Sequence, residues 1–439
     1  MQKILVVCFV LLVAVFSAQA QDTLIVDASQ DLGAINPFIY GSNMNLYTIV
    51  PGSLMTDAQK MGLKLMRFGG GDADRQDLRN SIIDLFVLQS RALGAEPLLS
   101  VRLLDGTTEH AAEVVQYTLD KGYNIRYWSI GNEPNLFQAL MGVESYTSEE
   151  LNSQWRTIAD AMLEVDPSIQ FVGPDITQYM PLEVNGDSIT YHPLSSALDP
   201  NGKDWLVEFL KANGDLLSMV AIHRYPFPGA GNAGATIEGL QAINNEWEVV
   251  IPNIRTIIKQ YAGRDIPLAI TEINSNSANS VGGEASLDSF YNAIWLGDVL
   301  GRLINLKVEA VNYWDVQGSA GRGWGLIGSY DVRPTSYTYV MYTYFGTNLV
   351  SATSPSETVR VYAATREDGT LTLMLINMTD EETMLPLSLQ GFNVGSDAQG
   401  WQLTADNNAE AIPDMAIDDG TMLTLPAQSM TVWAIPSGS

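Results

Sequence analysis

Two carboxylates stand where short apolar runs stop. Glu133 lies in the stretch 127–137, Tyr-Trp-Ser-Ile-Gly-Asn-Glu-Pro-Asn-Leu-Phe, and Glu272 closes Pro-Leu-Ala-Ile-Thr-Glu at 267–272. A pair of carboxyls in one site does acid–base and nucleophilic work: one protonates a departing oxygen, the other attacks carbon or activates water. Pro134 keeps the first run from continuing as an interior strand, which leaves a carboxylate at the carboxyl end of a buried strand. In a regular strand Asn132 and Glu133 face opposite sides, so bringing both to one site requires a bulge, and Gly131 is the residue that allows it. The plain alternative is a turn, because Gly-Asn and Glu-Pro are ordinary turn pairs. In the second run Leu268, Ile270 and Glu272 share parity, which reads as an apolar inward face ending in a carboxylate.

The elements that would hold such a pair are legible as alternation. Apolar runs at 38–43, 64–70, 96–103, 127–133, 171–175, 219–225, 267–272 and 309–315 are separated by helical stretches, the pattern of a parallel sheet. That series of βα units closes into a (β/α)8 TIM barrel, α/β in class, over 35–346. The helices named by apolar spacing are 84–93 and 109–120, a capped one opening at Thr147-Ser148-Glu149-Glu150 and ending near Asp166-Pro167, then 285–306 and 337–345. Past Gly346 the pattern turns to two-residue alternation, with strands expected at 359–365, 370–377, 384–389, 400–404, 422–425 and 431–435 and a hairpin turn at Glu367-Asp368-Gly369. These read as a β-sandwich domain over 347–439, joined by an N-terminal strand within 21–34 because a closed barrel has no edge to receive it.

The carboxyl ends of the barrel runs collect polar residues: Arg67-Phe68-Gly69-Gly70-Gly71-Asp72, Asn132-Glu133, His223-Arg224-Tyr225, Thr271-Glu272 and Tyr313-Trp314-Asp315. Gly131-Asn132-Glu133-Pro134 on the fourth run, with a Glu closing the seventh, resembles glycoside hydrolase clan A, the retaining barrel hydrolases. By motif the chain is most similar to the heparanase and β-glucuronidase family, with glucanase, xylosidase and arabinofuranosidase relatives. The likeness covers nearly all of 21–439 in layout, while only these short motifs are specific. It implies Glu133 as acid/base and Glu272 as nucleophile, in double displacement on the O-glycosidic bonds of oligo- or polysaccharides. It further implies Asn132 donating to the sugar 2-hydroxyl, Arg67 keeping Glu272 ionised, Tyr225 bonding Glu272, His223 supporting the acid side, and Trp314 beneath the sugar ring.

Each of these residues also has a structural reading. Arg67 could be an ion-pair partner only, His223 a satisfied rim histidine and Trp314 a cap on the barrel core. Asp72, Asp74 and Asp175 read as solvated loop acids, and His110 and His192 receive no role. Tyr40, Asn43 and Tyr47 either line the subsite or pack on a neighbouring loop, and the segments 179–193 and 230–236 are expected to shape the cleft. The other functions open to this sequence are a transglycosylase of the same fold and a non-catalytic carbohydrate-binding protein.

Composition narrows the partners. Lys3, the apolar stretch from Ile4 to Phe16 and Ala18-Gln19-Ala20 form a signal peptide over 1–20, implying a secreted or periplasmic protein. No second apolar run of that kind appears, so no membrane span is expected. The single cysteine, Cys8, falls in that segment, which excludes disulfides from the rest; with three dispersed histidines no metal site and no cofactor is expected. Against 23 Lys plus Arg stand 50 Asp plus Glu, a formal charge of −27, which disfavours nucleic acid and weighs against a strongly anionic polymer, though an acidic exported protein explains it equally well; the carbohydrate partner is what the resemblance implies.

Overall fold

The computed structural model describes residues 22–46, 48–227 and 235–438; the signal segment, Tyr47 and most of 230–236 lie outside the described residues. The chain begins with β1, Leu24–Ala34. Eight parallel strands then form a closed barrel: β2 (Gly41–Met44), β3 (Leu65–Phe68), β4 (Glu96–Val101), β5 (Tyr127–Ile130) and β6 (Gln170–Thr177). After the antiparallel hairpin β7 (Pro181–Asn185) and β8 (Ser188–Tyr191), the barrel resumes with β9 (Leu217–Arg224), β10 (Leu268–Ile273) and β11 (Ala310–Tyr313), which pairs with β2.

The barrel strands are buried on both faces, and their residues sort by parity. Met66, Phe68, Leu99, Trp128, Ile130, Ile222, Leu268 and Ile270 belong to the large core shared with the helices. Inside the barrel a small layer of Leu65, Leu98, Tyr127, Val172, Met219, Ala221, Ala269 and Ala310 is plugged from below by Phe38. This corrects the parity expectation for 267–272. Leu268 and Ile270 face the helices, Ala269 and Thr271 face inward, and Glu272 reaches the mouth through a register shift between Ile270 and Glu272. Irregularity, not simple alternation, aims that carboxylate.

Helix ends follow local chemistry. Thr147 and Glu150 form the expected capping box opening Ser148–Val165. The helix expected at 285–306 runs Phe290–Asn305, because the Ser289 side chain accepts from the Asn292 N–H and starts it there. The expected 84–93, 109–120 and 337–345 are Asn80–Ala92, Thr108–Asp120 and Pro334–Thr343.

The remaining strands are β12 (Asn348–Thr353), β13 (Val359–Thr365), β14 (Leu371–Asn377), β15 (Thr383–Gln390), β16 (Ala398–Thr404), β17 (Asn407–Met415), β18 (Met422–Leu425) and β19 (Ser429–Ile435). They form one sheet in the order β17-β16-β19-β14-β13-β12-β1-β15-β18. It folds over like a sandwich, since β18 at one end packs on β14 and β19, and residues from both halves share one core. β1 joins it between β12 and β15, as expected from the N-terminal run.

Candidate active site

Main-chain geometry delivers the first carboxylate. Gly131 has φ +78°, and a Cβ there would lie 2.7 Å from the Leu103 Cβ, so both conformation and space call for glycine. Glu133 is also left-handed at φ +48°. These turns bring Asn132 and Glu133 to the same cavity, as the bulge argument required. The loop is held by its own N–H groups: Asn132 donates to Asp74 Oδ2 at 2.7 Å and Glu133 to the Asp175 carbonyl at 3.1 Å. Asn135 ties it to β6 by donating to the Thr177 carbonyl at 2.9 Å and accepting the Thr177 N–H at 3.1 Å.

The second carboxylate is held by its side chain. Tyr225 Oη donates to Glu272 Oε2 at 2.6 Å, and Arg67 Nη1 donates to Oε1 at 3.0 Å. The same guanidinium reaches Asn43 Oδ1 at 3.1 Å, Asn132 Oδ1 at 2.9 Å and Asp175 Oδ2 at 3.1 Å, so Arg67 joins the ends of four barrel strands. Asn43, in turn, donates to the Thr271 carbonyl at 3.0 Å. His223 stands between the two acids, Nδ1 at 3.1 Å from Glu133 Oε1 and 3.7 Å from Glu272 Oε2, with Nε2 3.4 Å from Asp175 Oδ1. Glu133 and Glu272 offer carboxylate oxygens within 4.8 Å of one another.

Electrostatics beneath the site are set by burial and by charge balance. Burial alone would pull the His223 imidazole down, but Glu272, Asp175 and Glu133 around it outweigh that and raise it to about 9, so it is a cation at neutral pH. Asp175 resists burial because Arg67 and His223 face it, with hydrogen bonds from Ser129 and Thr271, and its carboxyl lies well below the usual range. Glu272 is pushed up, first by burial and also by Glu133, while His223, Arg67 and the Tyr225 hydroxyl pull it back. Arg67, 3.0 Å away, favours the ionised form of Glu272 against that burial, the direction expected from sequence.

A cleft of about 740 Å³ opens over these groups. Its lining includes Asn132, Glu133, Tyr225, Glu272 and Trp314, while Arg67 and His223 lie buried beneath. Trp314 is half-buried; its indole packs on Gly70, where a Cβ at φ +85° would come within 2.3 Å of Cη2. Asp72 lines the cleft, but Asp74 and Asp175 are not solvated loop acids. Both are buried, and Asp74 accepts from the N–H groups of Leu103 at 2.7 Å, Leu104 at 3.0 Å and Asn132, with burial raising it to about 6. Tyr40 precedes β2 at the opposite end of the barrel and packs on Tyr342, and Asn43 is buried below Glu272, so neither lines a subsite. The segment 179–193 forms the β7–β8 hairpin against the helix Trp247–Ala262 and leaves the cleft wall to Leu194 and Ser196.

Sequence reading passed over Trp324, Arg322, Leu136 and Leu140, which also line the cleft. A Trp between glycines in a polar stretch was the one available signal. Asp315, named at the end of the eighth run but given no role, is a buried carboxyl at the cleft that accepts from Asn45 Nδ2 at 3.1 Å and is raised by burial to about 8.

Glu133, His223 and Glu272 are close enough together to suggest a cation site. Their charges speak against one. The Arg67 guanidinium already lies 3.0 Å from Glu272, and the carboxylates around His223 favour its cationic form, which is not a ligand.

No family model matches the chain, and no curated protein matches its sequence. Solved structures do match along nearly its whole length. A bifunctional glucanase-xylanase, CelM2, from a metagenome library aligns over 95% of this chain and 99% of its own with TM-score 0.75 at 20% identity. A xyloglucanase of glycoside hydrolase family 44 from Paenibacillus polymyxa gives 0.72 at 17% over 95% and 100%. An α-L-arabinofuranosidase from Thermotoga maritima gives 0.71 at 15% over 94% and 99%. The chain has their fold.

Proposed function

We propose that the protein is a secreted retaining glycoside hydrolase that cleaves O-glycosidic bonds of oligo- or polysaccharides, with Glu272 as nucleophile and Glu133 as general acid/base. The observation that carries this is that Glu133 and Glu272 bring carboxylate oxygens within 4.8 Å of one another in one cleft, with His223 between them. Retaining pairs sit about 5–5.5 Å apart, and inverting pairs roughly 6.5–9.5 Å apart to admit a water between them. A sugar lying over Trp314 presents its anomeric carbon to Glu272, while Glu133 gives its proton to the departing oxygen. The covalent glycosyl-enzyme is then attacked by water, from which Glu133 takes a proton, restoring both residues. Tyr225 and Arg67 fix the orientation of Glu272, and the His223 cation donates from Nδ1 to Glu133. Asn132 accepts from Arg67 through Oδ1, which turns its amide NH₂ toward a ligand hydroxyl. Export rests on the sequence of residues 1–20. The fold shared with a glucanase-xylanase, a xyloglucanase and an arabinofuranosidase makes neutral glucans, xylans and their branched relatives the first substrates to try. Proton NMR of the first-formed anomer decides the mechanism: retention is expected, and inversion refutes the assignment of Glu272.

A further inference from the structure

We propose that Trp324 and Arg322 form a second pyranosyl subsite beyond Trp314, on the nucleophile's side of the cleft, and that it takes a neutral ring with adjacent hydroxyls. This rests on the glycosidase reading above and adds to it the course of the bound chain. Trp314 follows β11, the neighbour of β10 that carries Glu272, and the loop after it folds back on itself. The Leu326 N–H donates to the Asp315 carbonyl at 2.8 Å, Ile327 to Val316 at 3.0 Å and Gly318 to Ile327 at 2.8 Å. Arg333, only 8% exposed, fastens the tip: Nη1 donates to the Gly323 carbonyl at 2.5 Å and to the Trp324 carbonyl, and Nη2 to the Arg322 carbonyl at 2.5 Å.

A guanidinium buried against three consecutive carbonyls is a specific arrangement, and what it presents is a flat plate. The Arg322 guanidinium carbon lies 5.6 Å from the centre of the Trp324 ring, and both residues line the cleft. Arg322 stacks on the indole and has no carboxylate partner among the described residues, in a chain of charge −27. Indole and guanidinium suit one ligand chemistry between them. The C–H face of a pyranose packs on the part of the indole that the off-centre guanidinium leaves uncovered, and the edge of the guanidinium donates to its hydroxyls. An acidic sugar is disfavoured, because Asp72, Glu133, Glu272 and Asp315 line the same cleft.

The test is the affinity of the full-length Glu272→Ala protein for cellohexaose and xylohexaose by calorimetry, with and without each further substitution. At least one hexasaccharide is expected to bind, with Trp324→Ala weakening it about tenfold and Arg322→Ala about threefold, the range of single aromatic and cation–π contacts. Arg333→Met, which frees the tip, is expected to approach the Trp324→Ala loss. Should Trp324→Ala or Arg333→Met fail to fold by thermal melting, Arg322→Ala, an exposed change, decides alone. Unchanged affinity in the folded variants, or no binding of either hexasaccharide, overturns the subsite. The glycosidase reading fails separately, by inversion or by lack of hydrolysis in the unmutated protein.

Discussion

At Glu272 burial and charge pull in opposite directions, and the residues around it are arranged to keep that contest close. Glu272→Ala and Glu133→Ala are each expected to lower kcat by orders of magnitude. Only the Glu133 variant should recover on an aryl glycoside whose leaving group needs no proton; full activity in Glu272→Ala removes it from the reaction. Tyr225→Phe deletes the 2.6 Å hydrogen bond to Glu272, the proposed nucleophile. A hydrogen bond to a charged group contributes about 1.5–3 kcal/mol, so a fall in kcat/KM of roughly 10- to 100-fold is expected, read from steady-state kinetics. His223 makes the pH dependence signed. Its folded pKa, about 9, lies above its unfolded value, so its contribution to stability is complete below about 6.5 and disappears as pH rises to about 9. The loss is on the order of 3 kcal/mol by urea unfolding across that window, and His223→Gln should flatten it.

Among the elements, the strands carry Arg67, His223 and Glu272, while the loops after β5 and β11 bring in Asn132, Glu133 and Trp314, the last packed on Gly70 of the loop after β3. Gly70→Ala would drive a methyl into the Trp314 indole at a residue whose φ is +85°, and the expected outcome is a raised KM together with a lowered melting temperature. An unaltered KM would show that Trp314 does not contact the sugar. Much of this scale was legible beforehand. The barrel order, β1 in the second sheet and the clustering of Arg67, Asn132, His223, Tyr225 and Glu272 followed from apolar runs that end in polar residues. What escaped has physical causes. Thr271 and Glu272 break alternation, so parity pointed Leu268 and Ile270 the wrong way. β17 reads Asn-Asn-Ala-Glu-Ala-Ile-Pro-Asp-Met, which looks like a loop, yet it lies at the sheet's edge, where proline and unpaired polar groups are tolerated. Asp74 and Asp175 looked solvated because sequence does not show which N–H, hydroxyl and guanidinium groups fold onto a carboxylate.

At the scale of the molecule, barrel and sheet meet through charge as well as through apolar packing. Asp298, buried on the helix Phe290–Asn305, accepts from Arg302 Nε at 2.7 Å, Asn244 Nδ2 at 2.8 Å and the Tyr362 hydroxyl of β13 at 2.6 Å. Asp298→Ala removes the acceptor of Arg302 Nε, Asn244 and Tyr362 while Arg302 keeps Glu248 and Glu357, and it is expected to destabilise by about 1.5–3 kcal/mol. Because the contact spans both units, a single, lowered melting transition is expected; two separate transitions would show that they unfold independently.

The joint between β1 and β12 has a mechanical role as well. The barrel closes where β11 meets β2, and only Asn312 with Gly41 and Tyr313 with Ser42 pair across that seam. The chain enters the barrel after β1 and leaves it before β12, and these run side by side, with Asp31 and Asn348, 317 residues apart in sequence, bonded at 2.9 Å. The sheet thus acts as a clasp on a joint held by two residue pairs. Prising Leu24–Ala34 loose would let that joint gape, and with it the Asn43 anchor under Glu272, so a nick far from the cleft would disturb the site from behind.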